Sequence, residues 1–357
     1  MYFTCKSSVW AKSTAFEYDT YGWNAGTEGE VKAGSVNTSN YYIYKNDKWQ
    51  TATSVEVALN GCTVSREGEV AKLGNAYYIC KSKNWKTATA LEYDTYGEKC
   101  SATEVGKTVD GVVTATNKYY CTTNGWVSLT GDWNWKVPNE ARMNSTITYG
   151  TMTDLRDKKV YKTVTIGNQV WMAENLNYAD STISKSLLKR NWCYGNVSAN
   201  CDVGGRLYTW AAAVDSVALY DGGNGVNCGY YKTCSLPAKV QGVCPDGWHL
   251  PTKAEWNTLF TEVGGSSTAG KILKSQTGWY NHGDGTDGVG FSAIPAGVRN
   301  EDGNFILDGR NAYFWSATEN DRYYAYVMYL YYSYEEAYLS NFQKYDGFSV
   351  RCLKDSN

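Results

Sequence analysis

The residues of this chain that could do chemistry are its 11 cysteines, its 2 histidines, a short run of aspartates among glycines, and a dense stretch of tyrosines towards the C-terminal end. Cysteines at this density, with no Cys-x-x-Cys pair among them, point to crosslinking in an oxidising compartment rather than to zinc or redox exchange. In the first third, a cysteine late in one segment is followed by one early in the next, which pairs Cys62 with Cys80 and Cys100 with Cys121. By the same rule Cys5 looks upstream for a partner that this sequence does not contain; the alternative is a free thiol. Further along, proximity pairs Cys193 with Cys201 and Cys228 with Cys234, which leaves Cys244 and Cys352. Closing that long loop contributes on the order of 4 kcal/mol if chain entropy dominates.

The two histidines, His249 and His282, offer almost no material for a His-based catalytic centre or a zinc site. His249 is expected to orient the turn before a helix. No Gly-x-Ser-x-Gly nucleophile motif occurs, and Glu335-Glu336 reads as part of a solvated loop. The chain is therefore expected not to be an enzyme. The loop His282-Gly283-Asp284-Gly285-Thr286-Asp287-Gly288 gathers oxygen ligands, so Asp284 and Asp287 could hold calcium, although the spacing is not that of an EF-hand and a plain glycine turn is the stronger reading.

The densest feature is Tyr313-Phe314-Trp315 followed by Tyr323, Tyr324, Tyr326, Tyr329, Tyr331, Tyr332, Tyr334 and Tyr338. Alternate side chains of a strand face opposite ways, so part of this set is expected outside the core. Exposed rings stack on sugar faces. A ligand-binding surface is expected from Tyr313, Trp315, Asn320, Tyr324, Tyr326, Tyr329 and Tyr331, with Arg299 and Arg310, and also Asn300 and Asn311, serving ligand hydroxyls. The same tyrosines equally suit an edge that packs against a neighbouring repeat or subunit.

The elements that must position these residues are strands. With 31 Tyr, 14 Trp and 35 Gly, the composition favours strands and turns. At 43% hydrophobic and 20% charged, with 5 Pro, the chain has the makings of a folded protein of two or three units. A net charge of -2 creates no field that would draw it to nucleic acid or anionic lipid. No apolar run is long enough to cross a bilayer, and Met1–Trp10 lacks the regions of a signal peptide, so an export signal is expected upstream or already removed.

Self-comparison reveals a repeat. Tyr41-Tyr42-Ile43-Tyr44-Lys45 with Trp49 matches Tyr77-Tyr78-Ile79-Cys80-Lys81 with Trp85; earlier and later copies begin at Tyr2 and Lys118. Trp10, Trp49, Trp85 and Trp126 are 39, 36 and 41 residues apart, a repeat-array period. An aromatic strand, a polar turn and a Trp strand make each copy a hairpin. Glu17 to Gly22 recurs almost letter for letter at Glu92 to Gly97. We divide the array into 1–40, 41–76, 77–117 and a short 118–131, followed by a linker over 132–149 that contains Trp133 and Trp135.

From Gly150 a hairpin is expected to run to Tyr178. Thr252 with Glu255 forms a capping box ahead of Ala254, Trp256, Leu259 and Phe260, an amphipathic helix, and a second helix is expected around Leu207 to Val214. The Gly150–Tyr178 stretch, Gly205-Arg206-Leu207-Tyr208-Thr209-Trp210, Cys244-Pro245-Asp246-Gly247-Trp248-His249-Leu250-Pro251-Thr252 and Gly347-Phe348-Ser349-Val350-Arg351-Cys352 together resemble the Fibrobacter succinogenes major paralogous domain, over about 150–355. The upstream repeats resemble those that accompany it in secreted proteins. The resemblance implies a β-rich α+β protein, with a C-type-lectin-like C-terminal domain after an array of small disulfide-linked β-hairpin repeats.

Leu-Pro-Thr-x-x-Glu-Trp also resembles the formylglycine-generating branch of that fold, but once the bridges above are made no cysteine pair is free for such an oxidase. Trp315 to Asp321 lies where C-type lectins carry a Trp-Asn-Asp calcium element, and the companion Glu-Pro-Asn or Gln-Pro-Asp motif is absent. The resemblance implies an extracellular or outer-surface adhesion protein that binds plant-cell-wall polysaccharide and has no required cofactor, calcium aside. The alternative is a structural subunit that assembles with itself or with other envelope proteins into a fibre or layer.

Overall fold

The computed structural model describes residues 1–224 and 228–356, and the chain divides into two units, Met1–Trp126 and Val127–Asn357. The first unit repeats one plan. Hairpin β1 (Phe3–Lys6) and β2 (Val9–Lys12) leads into helix α1 (Ala15–Asp19). The plan returns with an extra leading strand as β3 (Val31–Ala33), β4 (Tyr41–Lys45), β5 (Lys48–Thr51) and α2 (Ser54–Leu59), then as β6 (Val70–Leu73), β7 (Ala76–Lys81), β8 (Asn84–Thr87) and α3 (Ala90–Asp94). It closes with β9 (Thr108–Asp110), β10 (Lys118–Thr122) and β11 (Gly125–Ser128), the unit boundary falling inside β11.

The first three hairpins turn on residue pairs with positive φ at both positions, Ser7-Ser8, Asn46-Asp47 and Ser82-Lys83, the turn geometry whose twist matches that of the paired strands. Each short helix starts on a capping box, Thr14/Glu17, Thr53/Glu56 or Thr89/Glu92, and the capping glutamate also meets a strand lysine: Lys6, Lys45 or Lys81. The repeat is therefore more than the expected hairpin. It adds a capped helix and, from the second copy on, a leading strand.

The joints between repeats explain the tryptophan period. Each indole N–H reaches back to a carbonyl in the preceding copy: Trp49 to Asn24 (2.9 Å), Trp85 to Asn60 (2.7 Å) and Trp126 to Glu98 (3.3 Å). Two joints also turn on a buried aspartate. Asp19 accepts hydrogen bonds from Asn37 N, Asn40 Nδ2 and Tyr42 OH; Asp94 accepts them from Thr114 N, Asn117 Nδ2 and Tyr119 OH. Burial alone would raise both carboxyls, but these donors outweigh it and hold them below the ordinary value, while burial and the facing carboxylate push Tyr42 and Tyr119 up to about 12. Disulfides Cys62–Cys80 and Cys100–Cys121 staple the later joints.

In the second unit, β12 (Gly150–Thr153), β13 (Val160–Ile166) and β14 (Gln169–Met172) form a three-stranded meander where a single hairpin was expected. β15 (Asn191–Trp192), α4 (Ser198–Gly204), β16 (Leu207–Tyr208), α5 (Trp210–Ala213) and α6 (Ser216–Leu219) follow. The helix expected over 207–214 is shorter, because Leu207 and Tyr208 pair with β15 and Thr209 caps α5. Next come β17 (Trp248–His249), α7 (Lys253–Glu262), α8 (Ser266–Leu273), β18 (Ala296–Arg299), β19 (Phe305–Asp308), β20 (Asn311–Glu319), β21 (Tyr324–Tyr331), β22 (Ala337–Gln343) and β23 (Leu353–Lys354).

The end of the chain is drawn into the sheet: β23 lies between β14 and β17 in the order β12-β13-β14-β23-β17. Cys244–Cys352 closes a separation of 108 residues beside it; Cys193–Cys201 and Cys228–Cys234 staple local loops. In α7, Trp256, Leu259 and Phe260 are buried at helical spacing, whereas Ala254 is exposed. Residues 132–149 are not a free linker. Val137, Asn139, Arg142 and Asn144 are buried, Trp135 stacks on Tyr194 at 5.0 Å, and its indole donates to Asp308.

Candidate functional site

The tyrosine stretch forms the antiparallel sheet β20-β21-β22, and strand parity assigns its rings. One face carries Ala312, Phe314, Met328 and Leu330 into a core with Trp171, Trp256 and Phe291. The other carries Tyr313, Trp315 and Val327 into a second core with Trp210 and Phe348. Both faces are thus covered over much of the sheet. Tyr313 is 4% exposed and Trp315 0% exposed, with its indole donating to Tyr208 O. Neither can meet a ligand at the surface, a correction to the expected site.

What reaches the surface is the β22 edge of the second face. Register places Tyr313, Tyr329 and Tyr338 side by side across the three strands. With Phe348 they make one continuous stack of rings, with centroid spacings of 5.1, 5.7 and 5.1 Å. The stack begins in the core and emerges at Tyr329 and Tyr338. Around the open end, Tyr331 packs on Tyr329 and Tyr334, Phe342 packs on Tyr329, and Tyr334 is 51% exposed. Burial holds the Tyr329 and Tyr338 phenols above their ordinary value, so they remain neutral hydroxyls. The result is a pre-assembled aromatic edge rimmed with hydroxyls, braced from within. Tyr338, Tyr334 and Phe342 complete it; the signal for Tyr338 and Phe342 is their alternation along β22.

The other expected ligand residues do not converge there. Tyr326 lies on the opposite face, with Lys253 Nζ 3.9 Å from its ring centre. Tyr324 and Asn320 sit at the far end of the β20–β21 hairpin, next to a second ring cluster of Tyr230, Tyr231, Tyr323 and Tyr345. Arg299 stacks on Trp192 at 4.0 Å and Arg310 on Tyr280 at 4.4 Å. Asn300 closes its own turn with Asn304, and buried Asn311 donates to Tyr313 OH. Of the eleven residues expected, Tyr329 and Tyr331 belong to the edge.

In the acidic loop the two aspartates are engaged by donors of the chain itself. Asp287 is fully buried, and its oxygens already accept from Ser292 N, Ser292 Oγ and Asn144 N. Hydrogens aimed at a carboxylate occupy the lone pairs that calcium would need. Asp284 Oδ1 accepts from Trp279 N. Burial raises both carboxyls, Asp287 to about 6. Among the described residues no group of three or more His, Cys, Asp and Glu is gathered for a metal.

His249 is 4% exposed and bridges two carboxylates: Nδ1 is 2.6 Å from Asp355 Oδ1, and Nε2 is 2.9 Å from Glu255 Oε1. Burial alone would lower it, yet the two carboxylates hold it above the ordinary histidine value. Glu255 is also the capping residue of α7, so His249 ties the end of the chain to the start of that helix. Among the described residues no helix is long and apolar enough to cross a membrane.

Compared with known proteins, residues 164–354, just over half of the chain, match the model of the Fibrobacter succinogenes major domain. No curated protein and no solved structure matches the chain.

Proposed function

This chain belongs to the Fibrobacter succinogenes major domain family, and from that premise we propose that it is a non-catalytic binding protein, extracellular or on the outer cell surface, whose second unit has a C-type-lectin-like fold. The pairing of β23 between β14 and β17, and the packing of α7 on β20, β21 and β22, support that fold. The ligand we assign is plant-cell-wall polysaccharide or a chemically similar polymer. The observation that carries this is the braced ring stack emerging as Tyr329 and Tyr338 beside Tyr331, Tyr334 and Phe342. Flat apolar rings with hydroxyl rims bind sugar faces at little entropic cost, because their neighbours already fix them. The five disulfides fit an oxidising environment.

The test is retention of the full chain on insoluble cellulose and xylan, which should be strong and should fall in Tyr334→Ala/Tyr338→Ala with the fold intact. A second reading, a subunit of an extracellular fibre or envelope layer, is favoured by one observation: β22, which carries Tyr338, is an end strand of the β20-β21-β22 sheet, an edge that another chain could extend. Concentration-dependent polymerisation without retention on either polymer would favour that reading.

A further inference from the structure

Within the repeat array, one of the three lysine–glutamate clamps differs from the other two. In Lys6–Glu17 and Lys81–Glu92 the lysine side chain is 48% and 43% exposed, whereas in Lys45–Glu56 the two side chains are 9% and 8% exposed. Lys45 also has a partner in the following copy. Its Nζ lies 2.5 Å from Glu56 Oε1 and 3.1 Å from Oδ1 of Asn84, the first residue of β8. The residues that precede the tryptophan at the same place in β5 and β11 are Lys48 and Gly125, which carry no carboxamide.

An amine, a carboxamide and a carboxylate in mutual contact are the parts of an amide exchange. Lys45 Nζ is the nucleophile; Asn84 Cγ, one bond beyond the oxygen that Lys45 touches, is the electrophile; Glu56 carries protons. Glu56 Oε2 is occupied by Thr53 N and Thr53 Oγ1 at 2.9 Å each, which leaves Oε1 to Lys45. Burial alone would raise the Glu56 carboxyl, but Lys45 and Thr53 outweigh it and keep it ionised, able to accept a proton. The disulfide Cys62–Cys80 and the Trp85 bond to Asn60 O fix the two copies against each other, so the approach of the groups carries little entropic cost. Asn84 is exposed, which gives the leaving nitrogen a way out. We propose that Lys45 and Asn84 condense into an amide bond, a second covalent link between the second and third copies. The Lys45 ammonium gives up two protons through Glu56, the freed amine attacks Cγ, and the Cγ–Nδ2 bond breaks. The departing nitrogen takes up both protons and leaves as ammonium; nothing is oxidised or reduced. Unlike the disulfide beside it, this link survives reduction, and it stands apart from whatever the second unit binds.

Mass spectrometry of the folded, then fully reduced, full chain and of its proteolytic fragments tests this. The expected result is a deficit of one ammonia, located in a fragment that joins the Lys45 segment to the Asn84 segment. Lys45→Arg and Asn84→Ala should each fold and show no such fragment. Asn84→Asp should lose one water in place of ammonia, which identifies the group on Cγ as the one that departs. A folded wild-type chain with its full mass overturns the proposal. So does an ammonia deficit that persists in Asn84→Ala or Asn84→Asp, since it would arise elsewhere in the chain. A link that still forms in folded Glu56→Gln would overturn the role given to Glu56.

Discussion

The two units use one local device for different ends. In the repeats, a Thr-x-x-Glu capping box starts a helix of five or six residues, and its glutamate is clamped by a strand lysine. In the second unit, Thr252 and Glu255 start the ten-residue α7, and the clamp is His249, itself held by Asp355. Around that shared motif the energetics diverge. Among the described residues the array gathers no large core: its joints are indole-to-carbonyl bonds, buried aspartates and staples, each local to neighbouring copies. The second unit packs two cores against opposite faces of β20-β21-β22, with partners drawn from segments far apart in sequence. The array can be lengthened without redesign, whereas the second unit can hold a ring stack rigid enough to present.

Substitutions can break this contrast, starting with the largest effect. Trp256→Ala empties a fully buried site beside Trp171 and Phe314 and should cost about 4 kcal/mol, with hydrogen exchange rising across the second unit and little changed in residues 1–126. Asp94→Ala removes the acceptor of a joint and should cost about 2 kcal/mol, with exchange rising only at the joint between α3 and β10. Trp85→Phe keeps a six-membered aromatic ring but gives up the pyrrole half of the indole and its N–H bond to Asn60 O; about 1 kcal/mol is expected from the lost bond. A drop as large as that of Trp256→Ala would mean the array has a cooperative core after all.

The smallest effect is one of sign with pH. Asp19 and Asp94 are lowered in the folded state, so what they contribute is present above the ordinary aspartate value of 3.8 and is lost as pH falls through their folded values. His249 is raised, so its contribution is complete below 6.5 and is lost as pH rises through its folded value. Urea unfolding across pH should therefore show acid sensitivity reduced by Asp94→Asn, and a loss on the alkaline side absent from His249→Gln. The same pH trend for both variants would contradict the assignment.

The array was the more legible half of the sequence because its physics is local. Trp10, Trp49, Trp85 and Trp126 mark the period by eye, and the spacing of Cys62, Cys80, Cys100 and Cys121 follows the joints they staple. The capping boxes at Thr14, Thr53 and Thr89 were readable too, but helices so short carry no periodicity to draw attention to them. In the second unit, alternation gives the parity of Tyr313, Tyr329 and Tyr331 without telling which face is covered or how far the cover extends. Tyr313 and Trp315 are buried because segments around Trp210 and Phe348 fold over them, and Arg299 and Arg310 diverge because Trp192 and Tyr280 claim them. Those are long-range facts with no local signature.

The central claim is that the emergent ring stack is the binding surface, and depletion isotherms on microcrystalline cellulose and on insoluble xylan test it most directly. The wild-type chain should saturate on at least one polymer, and Tyr334→Ala/Tyr338→Ala should lose most of that binding while a still more exposed control, Tyr231→Ala, retains it. Equal isotherms for wild type and the double variant, or no depletion by the folded wild type on either polymer, would contradict it.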